Sequence, residues 1–173
     1  MTRVSISIAG IVMFASAISA EDWRQFRGPT GQGVSSEKGL PTEWSAQKNI
    51  AWKTKLPGAG ASSPVIVGQR VFVTAYSGYG MDTKEPGEMN DLKRHLVCLD
   101  RASGKTLWSK EFVPQLPEHK YTGEGAYHGY AASTPLSDGE RLYVFFGKSG
   151  VFCFDLDGKQ LWHTFVGKGI NGW

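Results

Sequence analysis

The chain has 173 residues, of which 40% are hydrophobic and 12% aromatic, with 22 glycines and 8 prolines. This composition suits about one globular domain with many turns and excludes a wholly disordered chain. The 19 basic and 16 acidic residues leave a formal net charge of +3. So small a surplus, without a basic run, argues against nucleic acid as the main partner.

The first twenty residues differ from the rest of the chain. Arg3 precedes an apolar run that is rich in Ser and Ala and too short for a comfortable membrane span. The run contains ASA at residues 15–17 and ISA at residues 18–20, and either fits a cleavage site. We predict a secretory signal peptide over residues 1–20, the alternative being an uncleaved anchor. The cleaved protein is then periplasmic or secreted and has no transmembrane span.

Further along, two long stretches repeat each other. SSPVIVGQRVFVTA at residues 62–75 aligns with STPLSDGERLYVFF at residues 133–146. HLVCLDRASGKTLW likewise aligns with GVFCFDLDGKQLW, which places Trp108 opposite Trp162, and Trp52 holds the same final position in NIAWKTKLPG. These three tryptophans are roughly 55 residues apart, a spacing that is typical of an array of supersecondary units.

Each repeat divides into four short runs separated by turn residues. Gly68 in the first repeat and Asp138-Gly139 in the second lie between apolar runs, a pattern that predicts hairpins. Runs such as LYVFF and VFCF are apolar on both faces, so their sheets need cover on both sides, which stacked propeller blades supply. We therefore predict an all-β fold of blades with four antiparallel strands each. The chain holds about two full blades plus one outer strand around Trp52.

The repeats also resemble a known family. Their S(S/T)P opening, their CLD..SGK.LW closing and the tryptophan of each last strand are similar to PQQ-like (pyrroloquinoline-quinone-type) β-propeller repeats. That family includes quinoprotein alcohol dehydrogenases and BamB-like propellers of the outer-membrane assembly machinery. DWRQFRGPTGQGVS at residues 22–35 resembles the N-terminal segment of exported members. The resemblance implies an N-terminal segment over residues 21–48 and PQQ-like repeats, forming a partial propeller, over residues 49–173.

The resemblance implies more blades than this chain holds. Two blades cannot close a ring, and the stub GKGINGW at residues 167–173 stops where another opening is expected. We therefore expect a fragment, either a truncated reading frame or the first part of a longer propeller. A non-functional remnant of a longer gene is a further alternative.

The two longest predicted loops carry the candidate ligand face. In a meander of four strands, the loop at residues 76–94 and the link at residues 114–132 lie at the same end of the blades, and long loops on a rigid scaffold are common carriers of binding. The alternative is that their aromatic residues pack the loops onto the blades and that their histidine bonds to backbone. The candidate residues are Tyr76, Tyr79, Arg94, His95, Tyr127, His128 and Tyr130.

The resemblance also implies PQQ and calcium as cofactors, but the motifs of this chain do not support them. The dehydrogenases of the family have an adjacent Cys-Cys pair, whereas Cys98 and Cys153 lie far apart in this sequence. We interpret both cysteines as buried free thiols. Loop acids recur every three residues between positions 82 and 91, without EF-hand spacing and among basic residues, which favours a solvated loop over a calcium site. We assign no catalytic, cofactor-binding or metal residue, and we interpret Trp52, Trp108 and Trp162 as structural.

Together these features favour an exported β-propeller scaffold without evident catalysis. It would bind a protein or polysaccharide partner, or another polymer, at the long-loop face. The competing class is the N-terminal fragment of a PQQ-dependent quinoprotein dehydrogenase whose catalytic residues lie in other blades.

Overall fold

The computed structural model describes residues 21–167, so the predicted signal peptide and most of the stub lie outside the described residues. Eight strands form two four-stranded antiparallel sheets, in the orders β1-β2-β3-β4 and β5-β6-β7-β8. These are the two predicted blades, called blade 1 and blade 2 below. The strands are β1 (Val65–Val67), β2 (Arg70–Ser77), β3 (Lys93–Asp100), β4 (Thr106–Phe112), β5 (Leu136–Ser137), β6 (Arg141–Phe145), β7 (Val151–Asp155) and β8 (Gln160–Thr164). A short helix, α1 (Glu124–His128), lies in the link between the blades.

Glycine makes the tight turns at one end of the blades. Val67 pairs with Arg70 across the first turn, which leaves Gly68 and Gln69 as a two-residue loop. Gly68 has a φ of 55°, in the left-handed region that such hairpins require and that glycine adopts without a Cβ clash. The turn between β3 and β4 uses Asp100, whose carboxylate accepts a hydrogen bond from the Ser103 amide at 2.8 Å. The sequence pattern predicted both turns, because their chemistry is local.

The main core lies between the two blades. Phe72 and Leu96 of blade 1 meet Leu142, Val144 and Phe154 of blade 2, and all five side chains are fully buried. Burying a side chain of this size contributes roughly 1.5–3 kcal/mol relative to leaving it in water. The blades therefore stack because each sheet is apolar on both faces.

Both cysteines are buried and free, as predicted. Burial raises the pKa of the Cys98 thiol to about 12 and raises the pKa of Cys153 as well. At neutral pH both thiols are therefore protonated and pack as small apolar groups.

The repeated tryptophans dock on the following turn of the array. The Trp52 indole Nε1 donates to the Arg101 carbonyl at 2.9 Å, and its ring lies where a Cβ on Gly104 would be. Trp108 repeats this contact on blade 2, donating to the Leu156 carbonyl at 3.3 Å. Trp162 ends blade 2 and is 43% exposed.

The chain around Trp52 does not form a ladder. Residues 51–56 are irregular although an outer strand was predicted there. The described residues contain no neighbouring strand for this segment to pair with, and a strand requires such a partner. The segment instead covers blade 1, where Trp52 and Leu56 pack against Val71, Val97 and Leu99.

Candidate functional site

A cavity of about 610 Å³ opens on the long-loop face. It lies where β3 begins, β6 ends and the link between the blades enters β5. Its walls include Tyr130, Phe145 and Phe146, with His128 among the lining residues. A volume of this size suits a small ligand or one or two large side chains of a partner.

A buried ion pair forms one wall of the cavity. Arg94 Nη2 lies 2.8 Å from Glu118 Oε1, and the two side chains are 5% and 7% exposed. The same guanidinium donates from Nε to the Tyr130 carbonyl at 2.8 Å and lies over the Phe146 ring, 5.8 Å from its centroid. Arg94 Nη1 also approaches the Ser149 hydroxyl at 3.5 Å. Arg94 thus ties blade 1 to the link and to blade 2, and the charge of Glu118 offsets its own.

Three of the candidate tyrosines pack against one another in a buried cluster and do not form an open ligand surface. Tyr76, Tyr79 and Tyr130 are 4–7% exposed and share one buried cluster. The Tyr76 and Tyr130 rings meet edge to face at 5.3 Å. Burial, together with the nearby Tyr121 hydroxyl, raises the pKa of Tyr76 to about 12. This phenol therefore stays protonated and donates to the Gly80 carbonyl at 2.9 Å, while Tyr130 also lines the cavity.

His95 lies on the opposite face of β3 from Arg94. Adjacent residues of a strand point to opposite faces of the sheet. Arg94 and His95 therefore cannot both face the same site on β3. His95 Nε2 is 2.7 Å from the Ser77 hydroxyl, and the side chain is buried. Burial lowers its pKa, although the carboxylate of Glu111 acts in the other direction and Lys93 adds to the lowering. His95 therefore does not line the cavity.

The two remaining candidates lie on α1. Tyr127 is 81% exposed and points to solvent, whereas His128 lines the cavity. Gly123 and Gly129 flank the helix with φ values of 55° and 60°. The structure thus brings together Arg94, His128 and Tyr130 from the predicted set and places the other four residues elsewhere.

Sequence reasoning missed every cavity residue with a large or charged side chain other than Arg94, His128 and Tyr130. Glu118 and His119 lie in the link between the blades, which was predicted to carry the ligand face, but they were not among its candidate residues. Phe145 and Phe146 belong to an apolar run that predicts an ordinary strand. His119 stacks on Tyr130 at 4.6 Å, and its buried Nε2 has no hydrogen-bond partner within residues 21–167. The Glu-His pair between Pro117 and Lys120 was the sequence cue for the two link residues.

The loop acids between positions 82 and 91 are exposed. Asp82 accepts hydrogen bonds from the amides of Lys84 and Glu85 and so closes a local turn. Within residues 21–167, no group of three or more His, Cys, Asp or Glu side chains is placed to hold a metal ion.

No helix formed by residues 21–167 has the length and hydropathy that a membrane span requires.

Comparison with known proteins supports the PQQ-like repeats that the sequence predicts. A family model described as outer membrane protein assembly factor BamB matches residues 33–171. A polyvinylalcohol dehydrogenase from Pseudomonas sp is 24% identical over 181 residues, covering 79% of this chain and 28% of that protein. The chain thus spans under a third of the length of this curated relative. The crystal structure of BamB from Moraxella catarrhalis matches with a TM-score of 0.44 and 19% identity, over 67% of this chain and 27% of that one. With its two four-stranded blades and a family match over most of its length, the chain belongs to the PQQ-like β-propeller repeat family described as outer membrane protein assembly factor BamB.

Proposed function

We propose that this chain forms part of an exported, periplasmic or secreted β-propeller scaffold that binds a protein partner at the long-loop face. The observation that carries the proposal is the open cavity of about 610 Å³. The buried guanidinium of Arg94 in its wall is already paired with the buried carboxylate of Glu118. The family description, an outer membrane protein assembly factor, supports a partner that is itself a protein.

The chemistry of the cavity favours an apolar or aromatic side chain of the partner. Arg94 and Glu118 offset each other, so the cavity offers no strong net charge to an anion or a cation. Phe145 is 45% exposed and can still lose apolar surface to a partner. A large apolar side chain that leaves water in such a cavity gains roughly 1.5–3 kcal/mol, which is the magnitude of a typical interface hot spot.

Site-specific photocrosslinking tests this proposal in the source cells. A photoreactive phenylalanine analogue replaces Phe145 at the cavity, and the same analogue replaces Leu107, which is 48% exposed on β4 and outside the cavity lining. We expect ultraviolet light to give a discrete protein adduct at position 145 and none at position 107. Equal adducts at both positions, or none at either, would contradict the proposal.

The affinity of the crosslinked partner for this protein is then measured with a matched pair of variants. Ala132→Glu places a carboxylate in the cavity, whereas Ala102→Glu places one on the tight-turn face. We expect the first change to weaken the partner's Kd at least tenfold, since an unpaired carboxylate must be desolvated. The second change leaves the Kd unaltered. An equal effect of the two variants would show that the cavity is not the binding site.

A dehydrogenase is the second candidate, and the observation favouring it is the 24% identity to a polyvinylalcohol dehydrogenase. The described residues do not fit its implied cofactors. PQQ carries three carboxylates, yet the buried guanidinium of Arg94 is already paired, and calcium needs an oxygen cluster that residues 21–167 do not form. No catalytic step is therefore derived through PQQ. Stoichiometric PQQ binding with calcium, together with dye-linked oxidation of polyvinyl alcohol, would favour this candidate over the scaffold.

A further inference from the structure

His119 is a polar residue of the cavity to which the proposed function gives no role. Tyr130 holds it in two ways, since the two rings stack at 4.6 Å and the Tyr130 hydroxyl donates to the His119 carbonyl at 2.8 Å. The Nε2 atom of this fixed imidazole is buried, yet no group within residues 21–167 hydrogen-bonds to it. A buried polar atom without a partner is costly. A group that reached this nitrogen would therefore bind with a gain in free energy.

Helix α1 covers the nitrogen. A Cβ built on Gly125 would lie 2.5 Å from His119 Cδ2 and 3.1 Å from Nε2, so a residue without a side chain lets α1 lie directly on the imidazole. The helix has 5 residues, too few to be stable by itself. Every backbone hydrogen bond that the structure describes for residues 123–129 stays within that segment. Movement of α1 therefore breaks no backbone bond to the blades, and it opens Nε2 to the cavity.

We propose that the partner's side chain in this cavity is a tyrosine, whose hydroxyl displaces α1 and hydrogen-bonds to His119 Nε2. The inference rests on the proposed function, because it names the side chain that the cavity takes from a protein partner. His119 is then the residue that sets the specificity of the cavity, and α1 is the segment that yields when the partner binds.

The walls of the cavity favour this side chain over others. Tyr130, Phe145 and Phe146 offer apolar contact to a ring. The charges of Arg94 and Glu118 are already paired, so a charged side chain would lose its water without gaining a counter-ion. A phenylalanine would leave the buried nitrogen without a partner. An imidazole nitrogen donates or accepts according to its tautomer, and a tyrosine hydroxyl can serve either, whereas a tryptophan N–H can only donate.

Chemical labelling of the free protein tests whether α1 uncovers His119. Diethyl pyrocarbonate acylates accessible histidine nitrogens, and mass spectrometry gives the rate at each residue. We expect His119 to react more slowly than the exposed His128 but at least about tenfold faster than His95, which is buried with its Nε2 bonded to Ser77. A rate as low as that of His95 would show that α1 does not move. A rate equal to that of His128 would show that the nitrogen is not covered, and either result would overturn the proposal.

A matched pair of glycine variants tests the contact between α1 and the imidazole. Gly125→Ala should speed the labelling of His119 about threefold or more, because the added Cβ forces α1 off the ring although alanine favours a helix. Gly68→Ala is the control, since nothing lies within 4 Å of its Cβ, and it should leave the rate unaltered. Equal rates in the two variants would contradict the packing of α1 on His119.

The choice of tyrosine is tested with p-cresol and toluene, which correspond to the side chains of tyrosine and phenylalanine. Ligand-detected NMR titrations of the full chain give the Kd of each probe. We expect the native protein to bind p-cresol at least about fivefold more tightly than toluene. His119→Phe keeps a ring on Tyr130 but removes the nitrogen, so it should reverse this preference, because the hydroxyl then loses its water without gaining a partner. The same ratio of Kd values in both proteins would overturn the proposal.

The stability of His119→Phe separates a binding role from a structural one. The variant removes a buried polar atom without a partner, so its Tm should equal or exceed that of the native protein. A lower Tm would show that the nitrogen stabilises the fold, and the proposal would fail.

The photocrosslinking experiment at Phe145 distinguishes this inference from the proposed function. An adduct whose partner peptide contains no tyrosine would overturn the inference and leave the proposed function intact. No adduct, together with the expected preference for p-cresol, would contradict the proposed function but support the selectivity of the cavity.

Discussion

Replacing Gly104 by alanine should disrupt the docking of Trp52 on blade 1. A Cβ at this position would lie 2.4 Å from two atoms of the Trp52 ring, and Gly104 has a φ of 72°. The left-handed backbone costs about 1 kcal/mol for alanine. Displacing the ring adds about 1 kcal/mol for the lost indole hydrogen bond and about 1 kcal/mol or more for strained packing. We expect a loss of about 3 kcal/mol and a fall in Tm of about 6–12 °C.

Gly68 provides the matched control. It also has a positive φ, of 55°, but nothing lies within 4 Å of a Cβ built on it. Gly68→Ala should therefore show the backbone cost alone, about 1 kcal/mol or about 2–4 °C. Gly158, where a Cβ would be 3.0 Å from the Trp108 ring, should give an intermediate loss.

Urea unfolding followed by circular dichroism measures these differences. The decisive comparison is Gly104→Ala in a Trp52→Ala background, where the cost should fall towards that of Gly68→Ala because the clash with the ring has been removed. The contact with Thr54 Oγ1, 2.8 Å from the added Cβ, then remains. If Gly104→Ala and Gly68→Ala cost the same in the native background, tryptophan docking does not stabilise blade 1 and the reasoning fails.

Three further predictions concern buried polar and titratable groups. Arg94→Met should destabilise the protein by about 3–5 kcal/mol in urea unfolding, because it leaves a buried carboxylate unpaired, whereas Lys93→Met removes a half-exposed ion pair and should cost under about 1 kcal/mol. The lowered pKa of His95 means that the unfolded chain binds more protons below about pH 6.5, so the urea midpoint should fall between pH 7 and pH 5; a His95→Asn variant that keeps this slope would contradict the assignment. Cys98 and Cys153 are buried with raised pKa values, so neither should react with Ellman's reagent at pH 8 until the protein unfolds, and rapid native labelling of either thiol would show that its burial is wrong.

The repeat alone predicted the blades because the information that forms them is local. Short apolar runs bounded by turn residues indicate the strands, and Gly68 and Asp100 specify the turns between them. Equivalent Trp108 and Trp162 positions then indicate that each blade ends in the same way. None of these inferences needs a contact between residues distant in sequence.

The loop candidates show where this reasoning stops. Arg94 and His95 are neighbours in sequence, yet the alternation of β3 sends them to opposite faces of the sheet. Tyr76 and Tyr79 have the composition of a ligand surface, but burial against Tyr130 makes them packing residues. Composition could not decide between these roles, because the same aromatic ring serves either one according to what covers it.

The sequence by itself thus determined the four-stranded units, their turns and the end of the blades that carries the long loops. Only the tertiary structure decided which side chains form the cavity. Glu118 lies 24 positions from Arg94 in sequence but 2.8 Å away in space, and Phe145 reaches the cavity from another blade. A pairing of this kind depends on how two blades stack and how the link folds between them, which no local pattern of residues encodes.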